Sequence, residues 1–142
     1  MKTSESQYSR CIYFTTNALA RKVEKMAAGV WKKVDLSPSH AYLLLLVLDE
    51  PGLQPNILAG HLQLQPSTVT RLIEKLEEKK LAVRTVEGKI TNVYPTPKAR
   101  EIWPKMKECL QEFTRLCATT MGSDESQKLV VGMGRMADKL SD

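Results

Sequence analysis

The stretch PSTVTRLIEKLEEKKLAVR, residues 66–84, decides the fold of this chain. Its aliphatic residues Val69, Leu72, Ile73 and Leu76 recur at the spacing of one buried face of an α-helix. Short hydroxyl side chains and an arginine near the start of the same helix point away from that face: Ser67, Thr68, Thr70 and Arg71. The stretch therefore predicts a helix with one side anchored in a core and another side offered to a partner.

The segments on either side of this helix complete a recognisable motif. A short helical segment, NILAGHLQ at 56–63, precedes it, and a tight turn at 64–66 separates the two helices. After it, AVRTV (82–86) and ITNVYPT (90–96) are typical of two strands joined by a turn at Glu87-Gly88. A short helix, a turn and a second helix form a helix-turn-helix, whose second member enters the major groove of DNA. We interpret the hairpin as a wing beside it.

The rest of the chain is predicted to be helical. Apolar spacing and Pro or Gly breaks predict four further helical segments: Tyr8–Trp31, Pro38–Asp49, Pro97–Thr120 and a last helix over 125–140. The second of these is apolar nearly all round and is expected at the centre of the core. We expect Pro104 to interrupt the long helix early, and Ser123 or Asp124 to cap the last one. The fold class is therefore mainly α with a small β hairpin.

Composition narrows the class of protein. A length of 142 residues fits one modest domain, and the net charge of +5 mildly favours a polyanionic partner. The longest apolar run, AYLLLLVL at 41–48, is far shorter than the ~20 residues of a membrane span. The first ten residues are polar and lack the apolar core of a signal peptide. We expect a cytoplasmic protein without a membrane partner.

The hydroxyl-rich start of the helix at 66–80 suits a nucleic acid. Short hydroxyl side chains approach phosphates and base edges closely, and the positive end of the helix dipole attracts phosphate. Arg71 and Lys75 lie one turn apart and can reach a base edge or the backbone. The alternative is that Ser and Thr here are helix caps and that the mixed charges form a solvated face. The neighbouring helix and hairpin favour DNA binding.

Three segments carry a resemblance to a known family: LSPSHAYLLLLVL (36–48), ILAGHLQLQPSTVTRLIEKLEEKKLAVR (57–84) and YPTPKAREI (94–102). They resemble the MarR family of bacterial transcription regulators over residues from about 36 to 102. The resemblance implies a winged helix-turn-helix protein, not an enzyme, that needs no cofactor and acts as a homodimer. It divides the chain into an N-terminal dimerisation helix (1–34), a winged helix DNA-binding domain (35–96) and C-terminal dimerisation helices (97–142).

The resemblance also implies a mode of action. Such a homodimer places two recognition helices on successive major grooves of a pseudo-palindromic operator in double-stranded DNA. It represses, or less often activates, until a small-molecule effector alters the spacing of the half-sites. The rival interpretation is a winged helix that contacts proteins and has no specific DNA site.

Individual positions carry over from the family pattern. The groove-facing positions of the recognition helix fall on Ser67, Thr68, Thr70 and Arg71. The chain departs from the pattern at Lys80, where a glycine is usual, and in the wing, where Lys89 is the only base. We expect Lys89 to contact phosphate rather than the minor groove, which gives weaker and more salt-sensitive binding.

Four large side chains are candidates for an effector pocket between the dimerisation helices and the winged domain, the effector region of the family: Trp31, Tyr42, Trp103 and Met106. Amphipathic aromatic residues suit a small aromatic effector. The alternative is that these side chains simply fill the junction between the two parts.

The cysteines and histidines give weaker signals. Cys11 lies where the hydroperoxide-sensing branch of the MarR family has a reactive thiol, so a Cys11-based redox-sensing regulator is an alternative, beside a plain buried cysteine. Cys109 and Cys117 are eight residues apart on one helix and cannot pair with each other. His40 and His61 are too few and too far apart in the chain to define a metal site, and no catalytic arrangement is recognisable.

Overall fold

Six α-helices and one two-stranded antiparallel sheet are found in residues 1–140, the part of the chain that the computed structural model describes. In chain order they are α1 (Ile12–Trp31), α2 (Pro38–Asp49), α3 (Pro55–Leu62), α4 (Pro66–Glu78), β1 (Ala82–Glu87), β2 (Ile90–Pro95), α5 (Pro97–Met121) and α6 (Ser123–Lys139). The fold is therefore mainly α with a hairpin wing, as predicted from the sequence.

Helix α2 is the centre of the core. The Ser37 side chain caps it by accepting a hydrogen bond from the His40 N–H, and Pro38 occupies the first helical position, where its fixed φ suits a helix start. Seven of its residues are buried: Pro38, Ala41, Leu43, Leu44, Leu45, Val47 and Leu48. Helices α1, α3, α4 and α5 and strand β2 all pack against it. The nearly uniform apolar character of α2 is thus explained by contacts on several sides.

The two-stranded sheet of the winged helix packs against this core through β2. Strands β1 and β2 pair in antiparallel register, with Ala82 opposite Pro95 and Glu87 opposite Ile90. An isolated antiparallel β-bridge joins Leu53 to Val93 of β2. This bridge fixes the base of the hairpin against the segment between α2 and α3.

Three details of the predicted helices were wrong. Helix α1 begins at Ile12 rather than at Tyr8, because Cys11 is in an extended conformation (φ −91°, ψ 123°) and serves as the N-cap. Helix α5 continues through Pro104. Pro104 is exposed, so the helix carbonyl that loses its partner faces water.

The third correction concerns α6. Its N-cap is Gly122, not Ser123 or Asp124, and no side chain forms a capping hydrogen bond there. Gly122 has a positive φ of 88°, which glycine adopts without strain, and its carbonyl accepts a hydrogen bond from the Ser126 N–H (3.0 Å). The sharp turn between α5 and α6 therefore depends on this glycine.

The terminal helices are less buried than the winged helix. Helix α6 packs against α5 and has no buried residue, and the first turn of α1 is also exposed. Among the helices described, none combines the length and the apolar character needed to cross a membrane.

Candidate nucleic-acid interface

The turn between α3 and α4 fixes the angle of the helix-turn-helix. Gln63 ends α3 in the left-handed conformation (φ 53°), and its side-chain amide donates to the Gly60 carbonyl (2.8 Å). The Leu64 N–H donates to the Ala59 carbonyl (3.1 Å), so the last carbonyls of α3 keep their partners. The chain then enters α4 at Pro66 without a flexible linker.

Helix α4 is anchored by one face. Val69, Ile73 and Leu76 are 0% exposed and pack in the main core. Because these positions alternate by three and four residues, the opposite side of the helix must face solvent. The buried side predicted from the sequence is the buried side in the structure.

The recognition rim, which we define as Ser67, Thr68, Thr70 and Arg71, lies on the free side of α4. Ser67, Thr68 and Arg71 are exposed, and Thr70 is half-buried with its hydroxyl donating to the Pro66 carbonyl (3.1 Å). Within residues 1–140, the side chains of Ser67, Thr68 and Arg71 make no hydrogen bond or ion pair.

The hydroxyl groups of the rim do not cap α4. The N-cap is Gln65, and no side chain forms a capping hydrogen bond there. The interpretation of Ser67 and Thr68 as caps is therefore wrong for this helix. Their hydroxyl groups remain available to a ligand at a helix N-terminus, where the macrodipole favours negative charge.

The charged residues along the rest of α4 differ in how firmly they are held. Lys75 pairs with Glu78 at 3.4 Å, but both side chains are more than half exposed, so the pair contributes little and is easily exchanged for another anion. Arg84 on β1 instead pairs with Glu77 at 2.7 Å, and both of these side chains are about one-third exposed. The Arg84 pair holds the wing against α4, whereas Lys75 is free to contact a partner.

The wing is short and carries a single base at its tip. Gly88, with a φ of 66°, occupies the first position of the two-residue loop, where a type II′ turn places glycine. Lys89 follows it and is exposed, and Val86 and Ile90 beside it are exposed as well. The tip therefore presents the Lys89 ammonium group beside the exposed carboxylate of Glu87 and the exposed apolar side chains of Val86 and Ile90.

The end of α4 is joined to the wing through a strained residue. Lys80, at the position where the family pattern has glycine, takes a left-handed conformation with φ 62°. Its carbonyl accepts a hydrogen bond from the Thr96 hydroxyl (2.7 Å), and the Leu81 N–H donates to the Leu76 carbonyl (2.9 Å). The backbone thus requires a glycine-like geometry that lysine adopts only with strain.

A separate cavity of about 390 Å³ lies between α2 and α5. Of the four residues predicted for an effector pocket, Tyr42 and Trp103 line it, whereas Trp31 and Met106 do not. Both of the latter are 0% exposed because they are packed in the core behind the wall of the cavity. Trp31 contacts Tyr42 edge-on, with ring centroids 5.8 Å apart, and thereby supports that wall.

The polar groups of the cavity have defined roles. Lys107 places its Nζ 4.1 Å from the centroid of the Trp103 ring, a cation–π contact. Burial, with a smaller contribution from Cys117, raises the pKa of the Tyr42 hydroxyl, which therefore stays protonated as a hydrogen-bond donor. Sequence reasoning missed the remaining wall residues, Leu45, Leu46, Asp49, Lys107 and Leu110. Helical spacing from Tyr42 and from Trp103 would have found them.

The cysteines lie in different environments. Cys11 is exposed at the start of α1, so the thiol is accessible, and a redox role for it stays a prediction. Cys109 is buried with its Sγ 3.7 Å from the Val30 carbonyl oxygen, and burial raises the pKa of its thiol. Cys117 is half-buried. In residues 1–140 no three His, Cys, Asp or Glu side chains are grouped closely enough to hold a metal ion.

Comparisons with known proteins agree with this geometry. The sequence model of the MarR family matches residues 34–89. An uncharacterised HTH-type transcriptional regulator of Bacillus subtilis (strain 168), YybA, is 22% identical over 114 residues, which cover 78% of this chain and 76% of that protein.

Solved structures share the fold over nearly the whole chain. The repressor CouR bound to a 23-mer DNA duplex has a TM-score of 0.82 at 20% identity and covers 96% of this chain and 98% of its own. CouR bound to p-coumaroyl-CoA has a TM-score of 0.83 at 20% identity and the same coverage. MepR of Staphylococcus aureus in complex with DNA has a TM-score of 0.79 at 19% identity, covering 92% of this chain and 98% of its own.

At these identities the solved structures establish the fold alone, and the family model matches less than half of the chain, ending before β2. Residues 34–89, which include the helix-turn-helix and the first strand of the wing, are therefore similar to the MarR family of transcription regulators.

Proposed function

We propose that this protein binds a pseudo-palindromic operator in double-stranded DNA as a homodimer and represses transcription until a small aromatic effector binds. The observation that carries the proposal is the recognition rim. Three exposed side chains of α4, Ser67, Thr68 and Arg71, are without partners within residues 1–140, while the opposite face of the same helix is locked in the core. A rigid helix that presents unpaired donors at its N-terminal turn suits the major groove.

Lys75 and Lys89 also support a complex in which α4 lies in the major groove of DNA. Lys75 lies one turn beyond Arg71, and its weak pair with Glu78 can exchange for a DNA phosphate. Lys89 at the tip of the wing is exposed and reaches a second part of the backbone if α4 occupies the groove. A single lysine without an arginine suits phosphate contact more than minor-groove reading, which makes binding strongly dependent on salt.

The exposed apolar residues of the terminal helices support the homodimer. On α6, Val130 is 64%, Met133 45% and Met136 46% exposed, although all three are apolar. On the first turn of α1, Ile12 is 73% and Tyr13 78% exposed. Exposed apolar side chains on both terminal helices are unfavourable in water and would be covered in an interaction site. A second copy of the chain, which offers the same side chains, would bury them and place two copies of α4 on one side of the dimer.

The cavity between α2 and α5 supports the proposal that a small aromatic effector binds to this protein. Its wall combines the aromatic rings of Tyr42 and Trp103 with Leu45 and Leu46, and Asp49 and Lys107 supply charge. A volume of about 390 Å³ accommodates a small aromatic compound. CouR, which shares the fold, has been solved with p-coumaroyl-CoA. Since α5 also leads into the dimerisation helices, a ligand between α2 and α5 would alter the distance between the two recognition helices.

The experiment is a footprint on genomic DNA followed by an affinity measurement on the protected site. Replacing Arg71 by alanine should weaken specific binding by about 5- to 150-fold, the effect of losing one base-reading side chain worth roughly 1–3 kcal/mol. Arg115→Ala, which removes an exposed arginine of α5, is the charge-matched control and should leave the affinity unchanged. Equal effects of the two variants, or the lack of any protected site, would support the protein-contact interpretation instead.

A further inference from the structure

A second groove, of about 340 Å³, lies where the end of α1, the start of α2 and the second half of α4 meet. We name it the lysine groove. Its polar lining consists of Lys32, Asp35, Ser37, His40, Lys75 and Lys79. None of these residues except Lys75 belongs to the proposed DNA-binding surface, and the groove is separate from the cavity between α2 and α5.

Positive charge in the lysine groove exceeds negative charge. Three ammonium groups stand against two carboxylates: Asp35 lines the groove and its side chain is 99% exposed, and Glu78 pairs with Lys75 at 3.4 Å from outside the lining. Within residues 1–140, Lys32 makes no ion pair. Three lysines around a concave surface, with two well-solvated carboxylates, leave a net positive charge that attracts an anion.

One of the lysines is fixed in position by the backbone. The Nζ of Lys79 donates to the Asp35 main-chain carbonyl (2.7 Å) and lies 3.1 Å from the Asp35 carboxylate. Asp35 is in the left-handed conformation (φ 57°), which turns that carbonyl toward α4. Because the main-chain bond holds the ammonium group, an anion can replace the solvated carboxylate without moving Lys79.

The start of α2 adds further groups. The Ser37 hydroxyl and His40 Nδ1 are hydrogen-bonded to each other on the wall of the groove, at a helix N-terminus. Burial lowers the pKa of His40 from 6.5, and the charges of Lys79 and Lys75 lower it further. The imidazole thus experiences the positive potential that an anion in the groove would neutralise.

We propose that the lysine groove binds a phosphate group through Lys32, Lys75 and Lys79. A phosphate offers several acceptor oxygens in a compact volume, which matches three ammonium donors that converge from two elements. Its occupant contacts Lys75, which the proposed DNA complex also uses. A free phosphate compound bound here therefore competes with DNA for part of α4, in addition to any general effect of ionic strength.

The test uses the protein alone, so that its outcome is independent of DNA binding. The chain has two histidines, and the imidazole of His61, on α3, serves as the internal control in an NMR titration of pH. Adding inorganic phosphate at constant ionic strength, with chloride as the reference, should raise the pKa of His40 saturably, because a bound anion favours the imidazolium form.

Matched variants assign the effect to the groove. Lys32→Gln should weaken phosphate binding by about three- to fivefold, as expected for one partly exposed charge pair. Lys33→Gln is the control, because the neighbouring Lys33 pairs with Glu112 and does not line the groove. The proposal is overturned if His40 and His61 respond alike, if chloride has the same effect as phosphate, or if the two variants lose affinity equally.

A DNA backbone offers the same phosphate chemistry, and a second arm separates the two sources. A DNA duplex added in phosphate-free buffer should raise the pKa of His40, in a manner sensitive to Lys32→Gln, if a backbone phosphate occupies the groove. If the duplex leaves His40 unchanged while inorganic phosphate raises its pKa, the occupant is a free phosphate compound. If neither probe raises it, the groove is not a phosphate site.

Discussion

The winged helix and the terminal helices bury their apolar residues to very different degrees. Leu58 of α3 and Ile73 of α4 are fully buried within one chain, whereas Leu129 of α6 is 39% and Val130 64% exposed. The sequence patterns of the two regions are both amphipathic, so the difference lies in the partners that each face finds. The winged helix completes its core within one chain, together with the end of α1 and the first half of α5. The exposed apolar residues of α6 and of the start of α1 lack such a partner, and we propose that another copy of this chain covers them.

A matched pair of leucine substitutions tests this difference most strongly. Leu58→Ala should lower the free energy of unfolding by about 2–5 kcal/mol, because it leaves a cavity in a closed core. Leu129→Ala should have a smaller effect that grows with protein concentration, because its side chain is buried only in the dimer. Chemical denaturation at two protein concentrations measures both. A concentration-independent loss for Leu129→Ala would contradict the proposed interface.

The second test places a charge in the proposed interface. Val130→Asp should raise the dissociation constant of the dimer at least about tenfold, since an unpaired carboxylate in a buried interface is strongly unfavourable. Light scattering coupled to gel filtration reports the shift from dimer to monomer, and circular dichroism checks that the helices persist. Lys128→Asp, two residues away and therefore on another face of α6, is the control. If both variants stay dimeric, α6 is not part of the interface.

A substitution in the winged helix is expected to increase the free energy of unfolding by a smaller amount. Lys80→Gly should increase the free energy of unfolding by roughly 1 kcal/mol, because glycine adopts the φ of 62° without strain. Lys80→Ala removes the same charged side chain but keeps the Cβ and should give no gain. Thermal unfolding of the two variants decides whether backbone strain or the lysine charge is responsible.

The smallest expected effect concerns pH. The pKa of His40 is lowered in the folded protein from 6.5, so the unfolded chain takes up its proton first as the solution becomes acidic. The contribution of His40 to stability is therefore full above pH 7, declines as the pH falls through 6.5, and levels off below the folded pKa. His40→Gln should flatten this part of the profile of unfolding free energy against pH. An unchanged profile would mean that the pKa of His40 is not lowered in the folded protein.

Much of the winged helix was predictable because its signals are local. Pro38, Pro55, Pro66 and Pro97 each occupy the start of a helix, where proline is favoured, and Gly88 marks the hairpin. The rim on α4 followed from the same periodicity that placed its buried face.

The details that were missed depend on solvation or on tertiary contacts. Whether Pro104 breaks α5 depends on the exposure of that side of the helix, which the sequence does not show. Trp31 and Met106 are buried in the core and do not line the cavity between α2 and α5. The sequence does not separate these two placements, because aromatic and sulfur-containing residues suit a core and a cavity equally. The lysine groove joins residues more than forty positions apart, such as Lys32 and Lys79, and no local pattern links them.

Thr96 links the segment between α4 and β1 to the first turn of α5. Its hydroxyl donates to the carbonyl of Lys80 and accepts from the N–H of Ala99, and its own N–H donates to the carbonyl of Leu81 (3.1 Å). The last turn of α4, the root of the hairpin and the first turn of α5 thus meet in one rigid corner. Because these hydrogen bonds tie the three elements together, a ligand that tilts α5 would also shift the hairpin and α4, the proposed recognition helix.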